Sequence, residues 1–376
     1  MNKKIIRIIS VLMAFSLLVC CFAGCNDEKQ YNKTDDVSTT SPNEEQTTEP
    51  TEIPENVNTL TGLADLSNSA INGRPIAIMV ENSPAARPQW GITTPDIVVE
   101  GVAEGGITRM MWIYADADDI PSKVGPVRSA RHDFVEIARG MNAIFVHWGG
   151  SDGSRVGLNL GYQAIKNLGV NNIDGMDYSG SYFFRDTTRN VSSEHRGYTT
   201  QNAVKNAISK LGYSTKQTVS DWQPYDILLA GEKLPWGDTD VTGPCSEITV
   251  TFSNGYVHTF KYNANEKKYY NYLNNKVMTD GNNGEEMAVE NVIVLYVPVT
   301  TLNTKEGHKE WNLEVSNGEG FYVSNGVGQR IYWSKAGKDK PLKLKSFDGK
   351  ELVVNNGQTW MGIVPEGNRS LTQIKE

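Results

Sequence analysis

Cysteine and histidine are scarce in this chain, which contains four and five of them respectively among 376 residues. The histidines are scattered, and no Cys/His spacing typical of a metal site is present. We therefore predict no metal and no cofactor. Cys245 precedes the strand-like run EITVTFS without a neighbouring basic pair, so we interpret it as a buried structural residue rather than a nucleophile.

Basic residues are fewer than acidic ones, 36 against 44, which gives a formal net charge of −8. Loss of an N-terminal segment that carries Lys3, Lys4 and Arg7 but no acidic residue would change this charge to −11. Such an acidic protein is a poor candidate for general nucleic-acid binding, which depends on a positive surface. We expect no nucleic-acid partner.

Long hydrophobic runs are absent after residue 22, and the N-terminal run Ile8–Phe22 is shorter than the ~20 residues of a membrane span. It follows a basic start and ends in Phe22-Ala23-Gly24-Cys25, small residues before a cysteine. This pattern predicts a bacterial lipoprotein signal peptide over residues 1–24, with Cys25 acylated, for example by palmitate. The alternatives are plain secretion and an uncleaved anchor. We expect a lipid-anchored protein on the extracytoplasmic face of the cell membrane.

Residues 25–58 are rich in Asp, Glu, Asn, Ser, Thr and Pro and contain few apolar side chains. Such a segment buries too little apolar surface to offset the entropy lost on ordering. We predict a disordered tether that holds the folded part away from the membrane.

The remainder divides by hydrophobic period into residues 59–215 and 224–370. The first part mixes strand-like runs with helix-like runs such as Thr200–Leu211, which has a Thr start and a Gly212 stop. The second part shows period-two runs separated by Asn-Gly and Asp-Gly turns. We predict an α+β fold, with an N-terminal mixed α/β domain that contains a β-hairpin and a mainly β C-terminal domain. We also expect the two parts to fold when separated.

Charged groups fall at the ends of elements between residues 102 and 151. Gly105 and Gly106 form a two-residue hairpin turn, which places Glu104 and Arg109 near one end of the hairpin. Arg128 and Arg131 lie at the start of a predicted helix, and His147 ends a buried strand. We expect these five side chains to converge at one edge of the sheet. A solvated surface would not need charged residues at the ends of several elements, whereas a ligand site would.

The segments RPIAIMVEN, ARPQWG, EGGITR, VGPVRSAR, FVHWGGS and YFFRD resemble the YerB-like bacterial lipoprotein family, from about Leu60 to the end of the chain. The resemblance implies two domains and an extracytoplasmic address. At SSEHRGY, where the family tends to have a Pro-His-Asn-like run, His195 and Tyr198 match by position but Glu194 and Arg196 do not.

Two sets of site residues follow from these patterns. The candidates for catalysis share an ability to move protons: Glu104, His147 and His195. The candidates for ligand binding are mostly arginines, whose planar groups suit carboxylate and phosphate: Arg109, Arg128, Arg131, His147, Ser151, Arg185 and Tyr198. A buried ion network that stabilises the fold explains the arginines equally well.

The leading interpretation is binding of an anionic cell-envelope component, either a wall polymer or an envelope protein, in an arginine-rich cleft. The alternatives are a cell-wall polymer hydrolase or lyase with Glu104 as acid/base, and a scaffold for other membrane proteins. Trp333 and Trp360 could form an aromatic platform for carbohydrate, but core packing is the favoured interpretation for both.

Replacement of Cys25 by Ser should abolish lipidation, because the acyl chain needs the thiol that ends the FAGC box. Metabolic labelling with a radioactive fatty acid measures this directly. Labelled wild-type protein and unlabelled Cys25→Ser protein are expected. Incorporation of label into the variant would show that the anchor lies elsewhere.

Overall fold

The computed structural model of the chain describes residues 54–228, 232–237 and 242–376. The predictions for the signal peptide, for Cys25 and for most of the tether lie outside these residues. Across the described ranges, no helix combines the length and the hydrophobicity needed to cross a bilayer.

The N-terminal part contains three α-helices and short strands. Its elements are β1 (Ile76–Glu81), β2 (Ile97–Glu104), β3 (Ile107–Tyr114), α1 (His132–Gly140), β4 (Ile144–His147), α2 (Gly161–Leu168), β5 (Asn172–Asp174), β6 (Phe184–Arg185), β7 (Gly197–Tyr198) and α3 (Gln201–Leu211). Single 3₁₀ turns occupy Pro84–Ala86, Ala117–Asp119 and Ser193–His195.

The C-terminal part is made of strands and one 3₁₀ turn, Glu366–Leu371, in the residues that the structure describes. Its strands are β8 (Asp226–Ile227), β9 (Thr242–Pro244), β10 (Glu247–Ser253), β11 (Tyr256–Asn263), β12 (Lys268–Leu273), β13 (Lys276–Val277), β14 (Ala288–Val289), β15 (Asn291–Val297), β16 (Val299–Thr301), β17 (Lys309–Trp311), β18 (Gly318–Ser324), β19 (Val327–Lys335), β20 (Leu342–Ser346), β21 (Val353–Val354), β22 (Thr359–Pro365) and β23 (Gln373–Lys375). The predicted α+β class is confirmed.

One large mixed sheet organises the described residues, in the order β20-β19-β18-β15-β22-β2-β3-β1-β4-β5, with β9 beside β19. The predicted hairpin is confirmed as β2 and β3, which pair antiparallel with Glu104 opposite Ile107. Gly105 adopts φ +55° in the turn, a conformation that glycine accepts without steric cost.

Both faces of this sheet are buried. In β1, Ile76, Ile78 and Val80 contribute to one hydrophobic cluster, and Ala77 and Met79 contribute to the other. Helix α1 packs in the second cluster, whereas α3 and the smaller sheet β13-β12-β11-β10-β23 pack in the first. Double-sided burial explains why β1 is a continuous apolar run instead of an alternating one.

The best sequence-predicted helix is confirmed as α3. The Thr200 side chain accepts a hydrogen bond from Ala203 N at 3.1 Å, and Gly212 ends the helix at φ +66°. Helix α2 was not predicted, because its eight residues offer little more than two turns of periodicity. Gly169 closes it at φ +63°.

The predictions for Cys245, Trp333 and Trp360 agree with the structure. All three are core residues, with at most 1% of each side chain exposed. Burial raises the pKa of the Cys245 thiol to about 12, so this thiol is unreactive at neutral pH. The two tryptophans are not available as a platform for carbohydrate.

The two parts share one sheet, which argues against the expectation that they fold when separated. Strand β22 of the C-terminal part pairs in parallel with β2 of the N-terminal part, with Ile97 opposite Thr359 and Gly101 opposite Ile363. Trp311 Nε1 also donates to Val102 O at 2.8 Å. Hydrophobic period distinguishes the two parts but does not reveal strand pairing between them.

The predicted tether boundary also needs correction. Asn58 is fully buried, and its side chain accepts from Leu60 N and donates to Asp96 Oδ1, both at 3.0 Å. Asn56 O accepts from Leu66 N at 3.1 Å, so ordered structure begins before residue 58. A single asparagine in a polar run gives no sign of such a long-range contact.

Fragments 59–215 and 224–370, expressed separately, should fail to unfold cooperatively. The first fragment would expose β2, and the second would expose β22, as an unpaired apolar edge. Co-expression should restore a cooperative thermal transition in near-ultraviolet circular dichroism. A cooperative transition from the N-terminal fragment alone would contradict this dependence.

Candidate functional site

Four predicted site residues lie at or near element ends. Glu104 ends β2, Arg109 lies in β3 after the hairpin turn, and Arg131 precedes α1 as its N-cap. Arg128 lies in the extended segment before α1, and its N–H donates to the carbonyl of Met79 in β1 at 3.0 Å. This bond holds the segment against β1.

Glu104 is bound by two arginines. Arg131 Nε lies 2.9 Å from Glu104 Oε2, and Arg131 Nη2 lies 3.2 Å from Oε1, which also accepts from Arg109 Nη2. Arg109 additionally donates to Ser129 O at 2.8 Å and is only 3% exposed. We call Glu104, Arg109 and Arg131 the Glu104 cluster.

Charge keeps the Glu104 carboxylate ionised. Burial by itself would raise its pKa, but Arg109 and Arg131 outweigh burial and lower the pKa below its ordinary value. A general acid must hold a proton near neutral pH, which this carboxylate does not. The geometry therefore favours a structural ion network over an acid/base role for Glu104.

A second carboxylate, Glu81, lies at the end of β1 and was not among the predicted residues. Its side chain is 5% exposed, and it lies 3.4 Å from Arg128 Nε. His195 Nδ1 is 2.9 Å from Glu81 Oε1 and 3.0 Å from Oε2, and Ser83 Oγ donates to Oε1 at 2.9 Å. Glu81 thereby orients His195 and lies within ion-pair distance of Arg128.

More guanidinium groups surround Arg128. Partial burial lowers the pKa of Arg185, and the nearby positive charges of Arg196 and Arg128 lower it further. Arg185 also lies over the Trp148 ring, 4.2 Å from its centroid, and donates to Ser193 O. We call Arg128, Arg185, Arg196 and His195 the cationic surface.

Tyr198 packs against other aromatic side chains next to the cationic surface. It pairs with Phe184 across the β6–β7 ladder, with 5.7 Å between ring centroids, and packs edge-on against Trp90 at 6.1 Å. Lys123 Nζ lies 5.0 Å from the Tyr198 ring centroid. The ladder also pairs Arg185 with Gly197, which explains how one short strand pair positions both predicted residues.

His147 and Ser151 do not reach the cationic surface. His147 is fully buried, with Nδ1 2.8 Å from Gly149 O and Nε2 3.0 Å from Asn172 Oδ1. Ser151 Oγ accepts from Gly161 N at 2.9 Å and satisfies the start of α2. Both side chains stabilise the scaffold, because buried polar groups need such partners.

A buried ion pair connects the two parts of the protein. Glu100 and His258 are both fully buried, and His258 Nε2 lies 3.0 Å from Glu100 Oε1. Trp360 Nε1 donates to Glu100 Oε2 at 3.2 Å, and Asn82 and Thr108 donate to Oε1. Burial opposes ionisation of Glu100, but His258 and these donors lower its pKa overall.

None of the predicted arginines lines any of four cavities in the described ranges with volumes of about 270, 480, 500 and 610 Å³. Within the same ranges, no group of three or more His, Cys, Asp or Glu side chains is arranged to hold a metal ion. Arg185 is exposed and Arg128 is 22% exposed, so the candidate site is a charged surface, with the Glu104 cluster beside it.

Comparison with known proteins identifies the family. Residues 60–214 match the N-terminal domain, and residues 248–361 the C-terminal domain, of a family described as a protein of unknown function, DUF3048. The chain is 31% identical over 315 residues to "Putative lipoprotein YerB" of Bacillus subtilis, covering 82% of this chain and 86% of that protein. The chain belongs to the YerB-like DUF3048 family.

The fold of this YerB-like protein is also found in a solved structure. The crystal structure of the YerB protein from Bacillus subtilis superimposes with a TM-score of 0.69 at 28% sequence identity. The similarity covers 85% of this chain and 99% of that one. The predicted resemblance to the YerB-like family is confirmed.

Sequence reasoning missed three functional candidates in this YerB-like chain. Glu81 closes an apolar run, as Glu104 does, so the same element-end argument could have found it. Glu194 and Arg196 were noted only as departures from the family pattern. Glu194 and Arg196 flank His195 in the sequence. Glu194 pairs with Arg128, as Glu81 does, and the charge of Arg196 acts on Arg185.

Glu104→Gln should destabilise this YerB-like protein by roughly 3 kcal/mol, because it leaves the buried Arg109 without its anionic partner. Chemical denaturation at pH 7 measures the change. The lowered pKa means that the Glu104 contribution is present above the unfolded value of about 4.3 and is lost as the pH falls through the folded value. Wild type and variant should therefore converge in strong acid.

Glu306→Gln is the matched control, since Glu306 lies in the β16–β17 loop that contacts the β2–β3 turn through Gly307, but its side chain is 58% exposed. Its stability should stay within about 0.5 kcal/mol of wild type. Equal effects of the two substitutions would rule out a buried ion network at Glu104.

Proposed function

We propose that this protein is anchored to the extracytoplasmic face of the cell membrane through acylated Cys25 and binds an anionic component of the cell envelope at the cationic surface. The lipoprotein box FAGC and the lipoprotein name of the Bacillus subtilis relative support the anchor. A wall polymer or an envelope protein that carries carboxylate or phosphate groups fits the chemistry of the surface.

The main support for the proposal is a local excess of positive charge. The cationic surface and the adjoining Glu104 cluster contain five arginines, whereas the whole chain has a net charge of −8. The acidic residues among them are Glu81, Glu104 and Glu194, which leaves an excess of two positive charges before His195 is counted.

The solvent exposure of each arginine side chain determines whether it can contact a ligand. Arg109 is buried and satisfied by Glu104 and Ser129 O, so it is unavailable to a ligand. The Arg128 side chain is 22% exposed, and Arg185 is exposed. The ligand surface is thus smaller than the sequence-predicted cleft and includes Arg196, which the sequence did not single out.

One observation favours an enzyme as the second candidate, although not through Glu104. His195 is held through Nδ1 by the buried Glu81, and its Nε2 is directed away from that carboxylate. A carboxylate-oriented imidazole is the arrangement that general acid/base catalysts use. Hydrolysis or elimination on a wall polymer would then depend on His195, and soluble products would be released from walls.

Arg128→Ala should weaken binding to purified cell walls by about 1.5–3 kcal/mol, the value of a charged hydrogen bond, or roughly ten- to 150-fold in Kd. Co-sedimentation of the full-length protein in detergent with walls of the source organism measures the change. Added salt should weaken the wild-type interaction, because exposed charges are screened.

Arg155→Ala is the matched control, because Arg155 is exposed and loses the same charge. It should bind walls as the wild type does. Equal retention of wild type and Arg128→Ala, or an equal loss with Arg155→Ala, would argue against a specific site at the cationic surface. Release of soluble wall fragments by wild type but not by His195→Gln would favour the enzyme instead.

A further inference from the structure

Two carboxylates flank the same two side chains, Arg128 and His195. On the inner side, Glu81 lies 3.4 Å from Arg128 Nε and 2.9 Å from His195 Nδ1. On the outer side, Glu194 Oε2 lies 3.2 Å from Arg128 Nη1, and Glu194 Oε1 lies 3.6 Å from His195 Nε2. Arg128 and His195 each therefore direct one nitrogen inward and another outward.

The inner carboxylate is a fixed part of the protein. The Glu81 side chain is 5% exposed, lies at the end of a central strand and accepts an additional hydrogen bond from Ser83 Oγ. It therefore holds the His195 ring in place and neutralises part of the charge of Arg128. No ligand could replace it without opening the core.

The outer carboxylate is accessible. The Glu194 side chain is 54% exposed and lies in a three-residue turn, where Ser192 Oγ donates to Oε1 at 3.1 Å. The positive charge of Arg128 is the main cause of a lowered pKa, so Glu194 is ionised at neutral pH. Exposed ion pairs of this kind contribute only about 0.2–1 kcal/mol, and an incoming anion can replace one side chain easily.

We propose that the outer nitrogens of Arg128 and His195 form a carboxylate-binding subsite that Glu194 fills in the free protein and vacates when a ligand carboxylate enters. The inference rests on the proposed function, because it assigns the chemical group that the cationic surface recognises. Glu194 shows how a ligand carboxylate would bind. One of its oxygens contacts the Arg128 guanidinium, and the other faces the His195 imidazole.

The chemistry of the two cations suits a carboxylate. A guanidinium donates through fixed, planar N–H groups, and an imidazole protonated on both nitrogens donates through Nε2 while Nδ1 donates to Glu81. The two oxygens of one carboxylate can meet both donors at once. Arg185 and Arg196 lie beside the subsite and add attraction for further negative charge on the same ligand.

The test is a titration of the full-length protein in detergent with acetate at constant ionic strength. Histidine labelled with ¹³C reports binding, and His195 is assigned among the five histidines by the loss of its signal in His195→Gln. Acetamide, which is neutral, should leave the signal unchanged. Removal of a competing side chain worth about 0.2–1 kcal/mol should make Glu194→Gln bind acetate about two- to fivefold tighter than wild type.

Two further variants separate competition from a general change in charge. Glu286→Gln removes the same charge from an exposed position on β-rich structure outside the cationic surface, and its acetate affinity should equal that of wild type. In an Arg128→Gln background, Glu194→Gln should give no gain, because the two side chains are coupled only through their contact.

Three outcomes would overturn the subsite: unchanged or weaker acetate binding by Glu194→Gln, a gain that persists without Arg128, or a larger gain for inorganic phosphate than for acetate. If wall binding depends on Arg128 and these outcomes still occur, the subsite fails and the proposed function stands. If the acetate results hold but walls bind independently of Arg128, the subsite stands and the envelope function fails.

Discussion

The parallel pairing of β22 with β2 is the interaction on which the rest of the structure depends. It joins strands that are more than 250 residues apart in the chain and makes one sheet out of two family domains. Because β2 is then flanked by β3 and β22 and covered on both faces, its backbone groups are paired and its side chains are removed from water. Any carboxylate on this strand needs a buried partner, since an isolated buried charge is prohibitively costly.

Strand β2 carries two such carboxylates, and each is neutralised differently. Glu100 lies mid-strand and is paired with His258, which the smaller sheet brings to it across the hydrophobic core. Glu104 lies at the end of the strand, where Arg109 and Arg131 approach from the hairpin and from the start of α1. These ion pairs are consequences of the strand arrangement, and they tie both domains and α1 to it.

Two carboxylate–imidazole pairs in this protein differ in the solvent exposure of the imidazole. Glu100–His258 and Glu81–His195 are both carboxylate–imidazole pairs with nitrogen–oxygen distances near 3 Å. The His258 side chain is wholly buried and both its nitrogens are satisfied, whereas the His195 side chain is 19% exposed and directs Nε2 toward an exposed glutamate. Of these two pairs, only Glu81–His195 has an imidazole that is open to solvent.

Features that depend on neighbouring residues can be predicted from the sequence. The hairpin follows from Gly105 and Gly106 between two apolar runs, and α3 follows from Thr200, its periodic apolar residues and Gly212. The burial of β1 and of Cys245 could also be predicted, because apolar runs and isolated thiols have few other stable environments.

Which charged groups meet, and which remain accessible, depends on contacts between distant parts of the chain. Glu104, a candidate acid/base, is held by two arginines, and His147, a candidate for the ligand cleft, lies in the core. Glu81 and Glu194, far apart in the chain, face the same two cations. Local periodicity encodes which residues are apolar and where the chain turns. It does not encode which distant strands pair. That pairing determines how deeply each side chain at the site is buried, which charged groups surround it and whether a ligand can contact it.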